Sequence, residues 1–141
     1  MIPASLFDPW DFGDVRTPDG LWCAAYSDLT EFGMGSPLAG RLHLVRSDDR
    51  KTLVHESCGG PVCWSNDSKR LAVPIWVGRG AWMTVLDVEE LTITGYDYNS
   101  AVLHIHSFLD GLIRFTDSPK FKPRMLELDT ATFKVNRVIQ L

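Results

Sequence analysis

Trp64-Ser65-Asn66-Asp67-Ser68-Lys69-Arg70-Leu71-Ala72-Val73 decides the fold, together with Met83-Thr84-Val85-Leu86-Asp87 and Leu91-Thr92-Ile93-Thr94, which follow a short turn at Gly78-Arg79-Gly80. Side chains alternate here with a period of two, the signature of strands. The same pattern recurs about 42 residues later as Asp110-Gly111-Leu112-Ile113-Arg114-Phe115, Met125-Leu126-Glu127-Leu128-Asp129 and Phe133-Lys134-Val135-Asn136. An earlier copy reads Asp19-Gly20-Leu21-Trp22-Cys23-Ala24, Leu42-His43-Leu44-Val45-Arg46 and Leu53-Val54-His55. Repeats of this length indicate a stacked or radial β architecture.

Each copy parses into up to four strands. The middle copy offers 61–65, 71–77, 81–88 and 91–98; the third offers 101–108, 112–117, 124–129 and 132–139. Asp19-Gly20, Asp67-Ser68 and Asp110-Gly111 stand where the first hairpin of each copy must turn, and such pairs accept the positive φ of tight turns. The expectation is an all-β chain of antiparallel strands in three blade-like repeats, near 10–57, 61–98 and 101–139, forming one domain over 1–141.

The middle copy resembles the blades of Tol-type and prolyl-oligopeptidase-type β-propellers, which carry a Trp-Ser-Pro-Asp-Gly-Lys-x-Leu-Ala pattern. Trp64, Ser65, Asp67, Lys69, Leu71 and Ala72 match it, and Asn66 and Ser68 replace the Pro and Gly. Val85 to Glu89 is similar to the third strand of such a blade and its exit. The resemblance implies a fold and carries no catalytic residue. Propellers have about four to eight blades, so three copies imply a partial or open propeller-like twisted sheet, or half of a six-bladed homodimer. The edges of an open array are templates for association, and the N-terminal segment is expected to supply or cap the outer strand of the first copy.

The chain has 141 residues, 45% of them hydrophobic, enough for a core. It contains no 18-residue apolar span, which argues against a membrane helix. Met1 to Trp10 lacks the basic-then-apolar order of a signal peptide, and three cysteines suit a reducing compartment, so the expected location is cytoplasmic. Cys58 and Cys63 could bridge around Gly59-Gly60-Pro61-Val62, but in that compartment they are expected as reduced thiols, one in a turn and one in a strand.

Net charge is −4, and residues 1–31 hold Asp8, Asp11, Asp14, Asp19, Asp28 and Glu31 against Arg16 alone. No basic footprint for nucleic acid is visible. An acidic segment favours a basic protein partner.

The copies differ most between their second and third strands. Leu71 to Met83 and Ile113 to Met125 each span 12 positions, whereas Trp22 to Leu42 spans 20. The eight additional residues fall within 26–40. Insertions in repeat proteins emerge as loops and often bind. This one sets Leu29, Phe32 and Met34 beside Asp28 and Glu31, an apolar anchor next to charge. The alternative is a long hairpin whose Phe32 and Met34 enter the protein's own core. The expected partner-binding residues are Asp28, Leu29, Glu31, Phe32, Met34, Asp11 and Asp14.

His104 and His106 lie two apart on an expected strand and so share a face, as metal ligands do, yet zinc needs three or four ligands. Asp48-Asp49 and Glu89-Glu90 fall in turns, and Ser57-Cys58-Gly59-Gly60 lacks the strand-to-helix context of a nucleophile elbow. No catalytic residue, metal site or cofactor is therefore expected. The leading expectation is a non-catalytic binding module, similar in size, charge and lack of catalytic motifs to bacterial immunity proteins that occlude a toxin. The alternatives are a metal-dependent hydrolase using His104 and His106, and a half-propeller homodimer.

Overall fold

The computed structural model describes residues 14–31, 38–78, 80–118 and 122–141, and among these it consists of strands and turns with no helix. The first unit contains β1 (Val15–Arg16), β2 (Trp22–Glu31), β3 (Leu38–Arg46) and β4 (Lys51–Cys58). The second contains β5 (Cys63–Trp64), β6 (Arg70–Val77), β7 (Gly80–Asp87) and β8 (Thr92–Ser100). The third contains β9 (Leu103–Leu109), β10 (Leu112–Asp117) and β11 (Arg124–Asp129), and β12 (Val135–Gln140) follows it. Every pairing is antiparallel.

The Asp-containing turns fall where the repeat places them. Asp110 and Gly111 have φ of 51° and 81°, Ser68 has 62° and Gly20 has 76°. Two successive positive φ values match the right-handed twist of the flanking strands. The turns also hold one another. The Asp19 N–H donates to Ser68 Oγ at 3.2 Å, and Asn66 and Asp110 exchange two hydrogen bonds of 3.1 Å.

Leu71, Ala72, Val73, Pro74 and Ile75 of β6 are all buried, a continuous run that marks a strand covered on both faces. Leu71, Val73 and Ile75 join one core with Leu42, Leu44, Val54 and Leu86. Ala72 joins a second core with Met83, Val85, Phe108, Ile113 and Phe115. The middle unit is thus packed between the first and third. The two-residue strands β1 and β5 lie beside each other, with β9 against β5, and the Trp64 indole N–H donates to the Val15 carbonyl at 2.9 Å. The first and middle units share one nine-stranded sheet, joined where Cys58 of β4 pairs with Ile75 of β6, and β9, β10 and β11 form a separate three-stranded sheet, an open arrangement. The first and third share no core and do not close a ring.

Two expectations need correction. The last strand does form, but β12 pairs with β8 of the middle unit instead of completing the third. Its flanking apolar residues explain the crossing. Phe133 packs into the second core, edge-on to Tyr96 and Tyr98 at 6.3 and 6.4 Å. Leu141 packs against the first core, and its N–H donates to the Leu91 carbonyl at 2.8 Å. The N-terminal segment supplies β1, which pairs with β2 at the end of the nine-stranded sheet and lies beside β5; residues 1–13 lie outside the described residues. Finally, Cys58 ends β4 and Cys63 opens β5, so both sit in strands, and all three cysteines are free.

Candidate functional site

The insertion lengthens the β2–β3 hairpin. The two strands pair from Trp22↔Arg46 to Ser27↔Arg41, lose register, and resume at Thr30↔Ala39 and Glu31↔Leu38. Asp28 marks the break with φ 55°. Gly40 lies opposite, where an added Cβ would stand 2.6 Å from the Ser27 carbonyl oxygen. Only glycine permits that approach, so the close crossing of the two strands at the register break requires Gly40.

The Asp28 side chain is 73% exposed and 3.7 Å from Arg41, whose guanidinium is also 3.8 Å from Glu56. Exposed pairs at such distances contribute little to stability, and the cluster of two carboxylates and one guanidinium stays net acidic. Leu29 is half-buried and Asp14 exposed; an Asp14 carboxylate oxygen accepts the Tyr26 N–H at 3.0 Å. The structure thereby brings Asp14 and Asp28 to the same length of β2. Phe32, Met34, Asp11 and the side chain of Glu31 lie outside the described residues. The Tyr26 hydroxyl donates to the Gly59 carbonyl at 2.7 Å and anchors the hairpin base to the β4–β5 connection; burial raises its pKa well above the ordinary value.

A second feature is a shallow open groove between β4 and the strands β6, β7, β8 and β12. Ile75, Val77, Trp82, Ile93 and Ile139 supply its apolar lining, with His55 and Arg137 beside them. Burial lowers the pKa of His55 against the opposing pull of Glu56, and its Nδ1 accepts the Ser57 N–H at 3.0 Å.

The histidine pair differs from a simple strand face. The β9–β10 register shifts between Arg114 and Phe115, leaving His106 as the extra residue of a bulge. The His104 and His106 rings stack at 4.7 Å, with His104 only 3% exposed. His106 Nε2 lies 2.6 Å from Thr116 Oγ1, which donates to Met125 Sδ at 2.8 Å. Among the described residues no group of three or more His, Cys, Asp or Glu side chains is placed to hold a metal ion.

One polar cluster was absent from the sequence-based expectations. Asp117 accepts hydrogen bonds from Tyr98, from Ser100 and, at 2.9 Å, from Ser118, and lies 3.5 Å from Arg124. Burial raises the Asp117 pKa, but the hydrogen bonds from Ser100, Tyr98, Ser118 and Arg124 outweigh it and hold the carboxyl below its ordinary value. Burial and the Asp117 charge push the Tyr98 phenol up to about 12. The cluster ties β8, β10 and β11 together at one end of the array. No spacing motif could have revealed it, because its members come from separate strands.

No protein family, curated protein or solved structure matches the chain.

Proposed function

We propose that this protein is a non-catalytic protein-binding module of the immunity type, which covers the basic working surface of a toxin-like partner with its β2–β3 hairpin. The observation that carries this reading is the hairpin itself. It carries the eight additional residues of the first copy, it loses register between Ser27 and Thr30 opposite Gly40, and its exposed Asp28 and Arg41 lie beside Glu56 of β4. Exposed acidic groups such as Asp28 and Glu56 steer a basic partner into register and raise the rate of encounter. Apolar side chains on the same loop then supply the desolvated contact that slows release. Phe32 and Met34 are assigned that role and Leu29 supports it, while Asp11, Asp14 and Glu31 extend the acidic surface.

Three free thiols suit a reducing compartment, which supports a cytoplasmic location. No described helix is long and apolar enough to cross a membrane.

The test uses the protein encoded beside this one, or one captured from the native cell. Full-length chain should bind it and relieve the growth arrest it causes. Replacing residues 29–36 by two glycines, or making Asp28→Lys, should abolish both effects with an unchanged circular dichroism spectrum. Undiminished affinity of the shortened variant, or a partner whose contacted surface is acidic, overturns the proposal.

A further inference from the structure

β12 is the last strand of the nine-stranded sheet, and among the described residues nothing pairs with its far edge. All six of its residues are exposed. Val135, Val138 and Ile139 are three of the exposed large hydrophobics, at 48%, 62% and 38%. Native edge strands are normally protected by proline, inward-pointing charge or a bulge. β12 has one register shift, between Val135 and Arg137, and is regular from there to Gln140. We infer that this edge is a self-association site, where β12 pairs antiparallel with β12 of a second copy about a twofold axis at Val138.

The backbone directions support that axis. The Leu141 N–H donates to the Leu91 carbonyl. Because bonding alternates along an antiparallel pair, the N–H and C=O of Ile139 and Arg137 also point at β8. Those of Val138 and Gln140 then point outward to the open edge. Centring on Val138 lets the two Val138 residues exchange both backbone hydrogen bonds, with each Gln140 opposite Asn136 of the other copy.

Side chains are compatible with the same register. Val138 meets Val138 on one face, and Arg137 meets Ile139 on the other, so no like charges stand directly opposite. Arg137 is the only charged residue of β12, and it lies on the groove side, next to Gly95 on β8. The neighbouring Lys134 is held by Asp97 at 3.5 Å. β12 carries no acidic side chain to draw a basic partner of the kind proposed for the hairpin, whereas a second copy sets Val138 against Val138 and Ile139 against the aliphatic stem of Arg137. The result is a continuous sheet through both middle units, with the isologous contact typical of twofold dimers.

The inference is independent of the immunity reading and is tested separately. Sedimentation of the full chain from about 1 to about 200 µM should show a concentration-dependent rise from 15.8 kDa to twice that mass. Val138→Pro removes only an outward N–H, and Val138→Lys places two ammonium groups opposite one another. Each should weaken association at least tenfold, while Val138→Ile should preserve it. Should the proline variant misfold, the lysine variant decides. A wild-type chain that remains at 15.8 kDa throughout overturns the inference. So does a dimer that survives both disruptive substitutions, which would place the contact on the outward faces of the first and third units.

Discussion

Leu42→Ala and Ile113→Val probe whether two cores on opposite faces of one unit behave as a single cooperative structure. Leu42 and Ile113 are both fully buried, one in each core. Truncating a buried leucine to alanine costs about 2–5 kcal/mol, and removing one methylene from isoleucine costs about 0.5–1.5 kcal/mol. For a domain of this size a 3 kcal/mol loss corresponds to roughly 10 °C in Tm. The two sites share no core, so the double variant should lie within about 0.5 kcal/mol of the sum. Yet β6 and β7 contribute to both cores, so unfolding should remain one transition. Urea titration followed by tryptophan fluorescence and by far-UV circular dichroism checks both points. Trp22 and Trp64 report on the first core and Trp76 on the second. Probes that separate into two transitions, or a coupling above about 1 kcal/mol, would falsify this account of the packing.

Gly40→Ala should destabilise the chain by about 1–3 kcal/mol, since its Cβ would press on the Ser27 and Asp28 carbonyl oxygens; thermal unfolding measures it, and an unchanged Tm refutes the close crossing. Asp117→Asn should cost roughly 1–3 kcal/mol at neutral pH. The folded Asp117 carboxyl titrates below its unfolded value. Its contribution is therefore fully present above that unfolded value of about 3.9 and is lost as pH falls through the folded one. The stability gap between wild type and variant should narrow as pH falls below the unfolded value and close once the folded carboxyl is protonated; a gap that persists in strong acid counts against an ionised Asp117. Burial raises the Cys58 thiol far above its ordinary pKa, so iodoacetamide at neutral pH should leave Cys58 unmodified until the protein unfolds. Rapid native-state labelling of Cys58, read by peptide mass, would contradict that.

Much of the scaffold was legible because its determinants are local. Asp110-Gly111 and Ser68 announce their turns through backbone conformation. The strand over 71–77 was legible from its apolar spacing, but its burial on both faces, from Leu71 to Ile75, emerged only with the packing of its neighbours. The pairing of β12 was not legible, since a period of two assigns faces but never names a neighbour. That choice was made by Phe133 and Leu141, whose cores are assembled from distant segments. The hairpin was found by counting spacings, although its close crossing at Gly40 depends on carbonyl positions that no spacing conveys. His104 and His106 were expected together and are together, but through a bulge. The Asp117 cluster draws on residues 98, 100, 117, 118 and 124, which become neighbours only after three strands are in place.

The crossing of β12 to β8 also imposes an order on biosynthesis. A ribosome that has delivered residues through Ser100 has made every strand of the second unit's own repeat, yet the edge of β8 stays bare. It waits while the third unit is threaded past, until residues 135–140 arrive to seal it. Throughout that interval the growing chain presents Thr92 to Tyr96 as an open edge beside Ile93 and Tyr96. Translation pauses between Ser100 and Val135 would prolong this vulnerable stage, and a holdase that recognises extended apolar segments would be most useful during it. Arrays whose strands pair only within their own repeat mature one unit at a time. Here the middle unit is finished last.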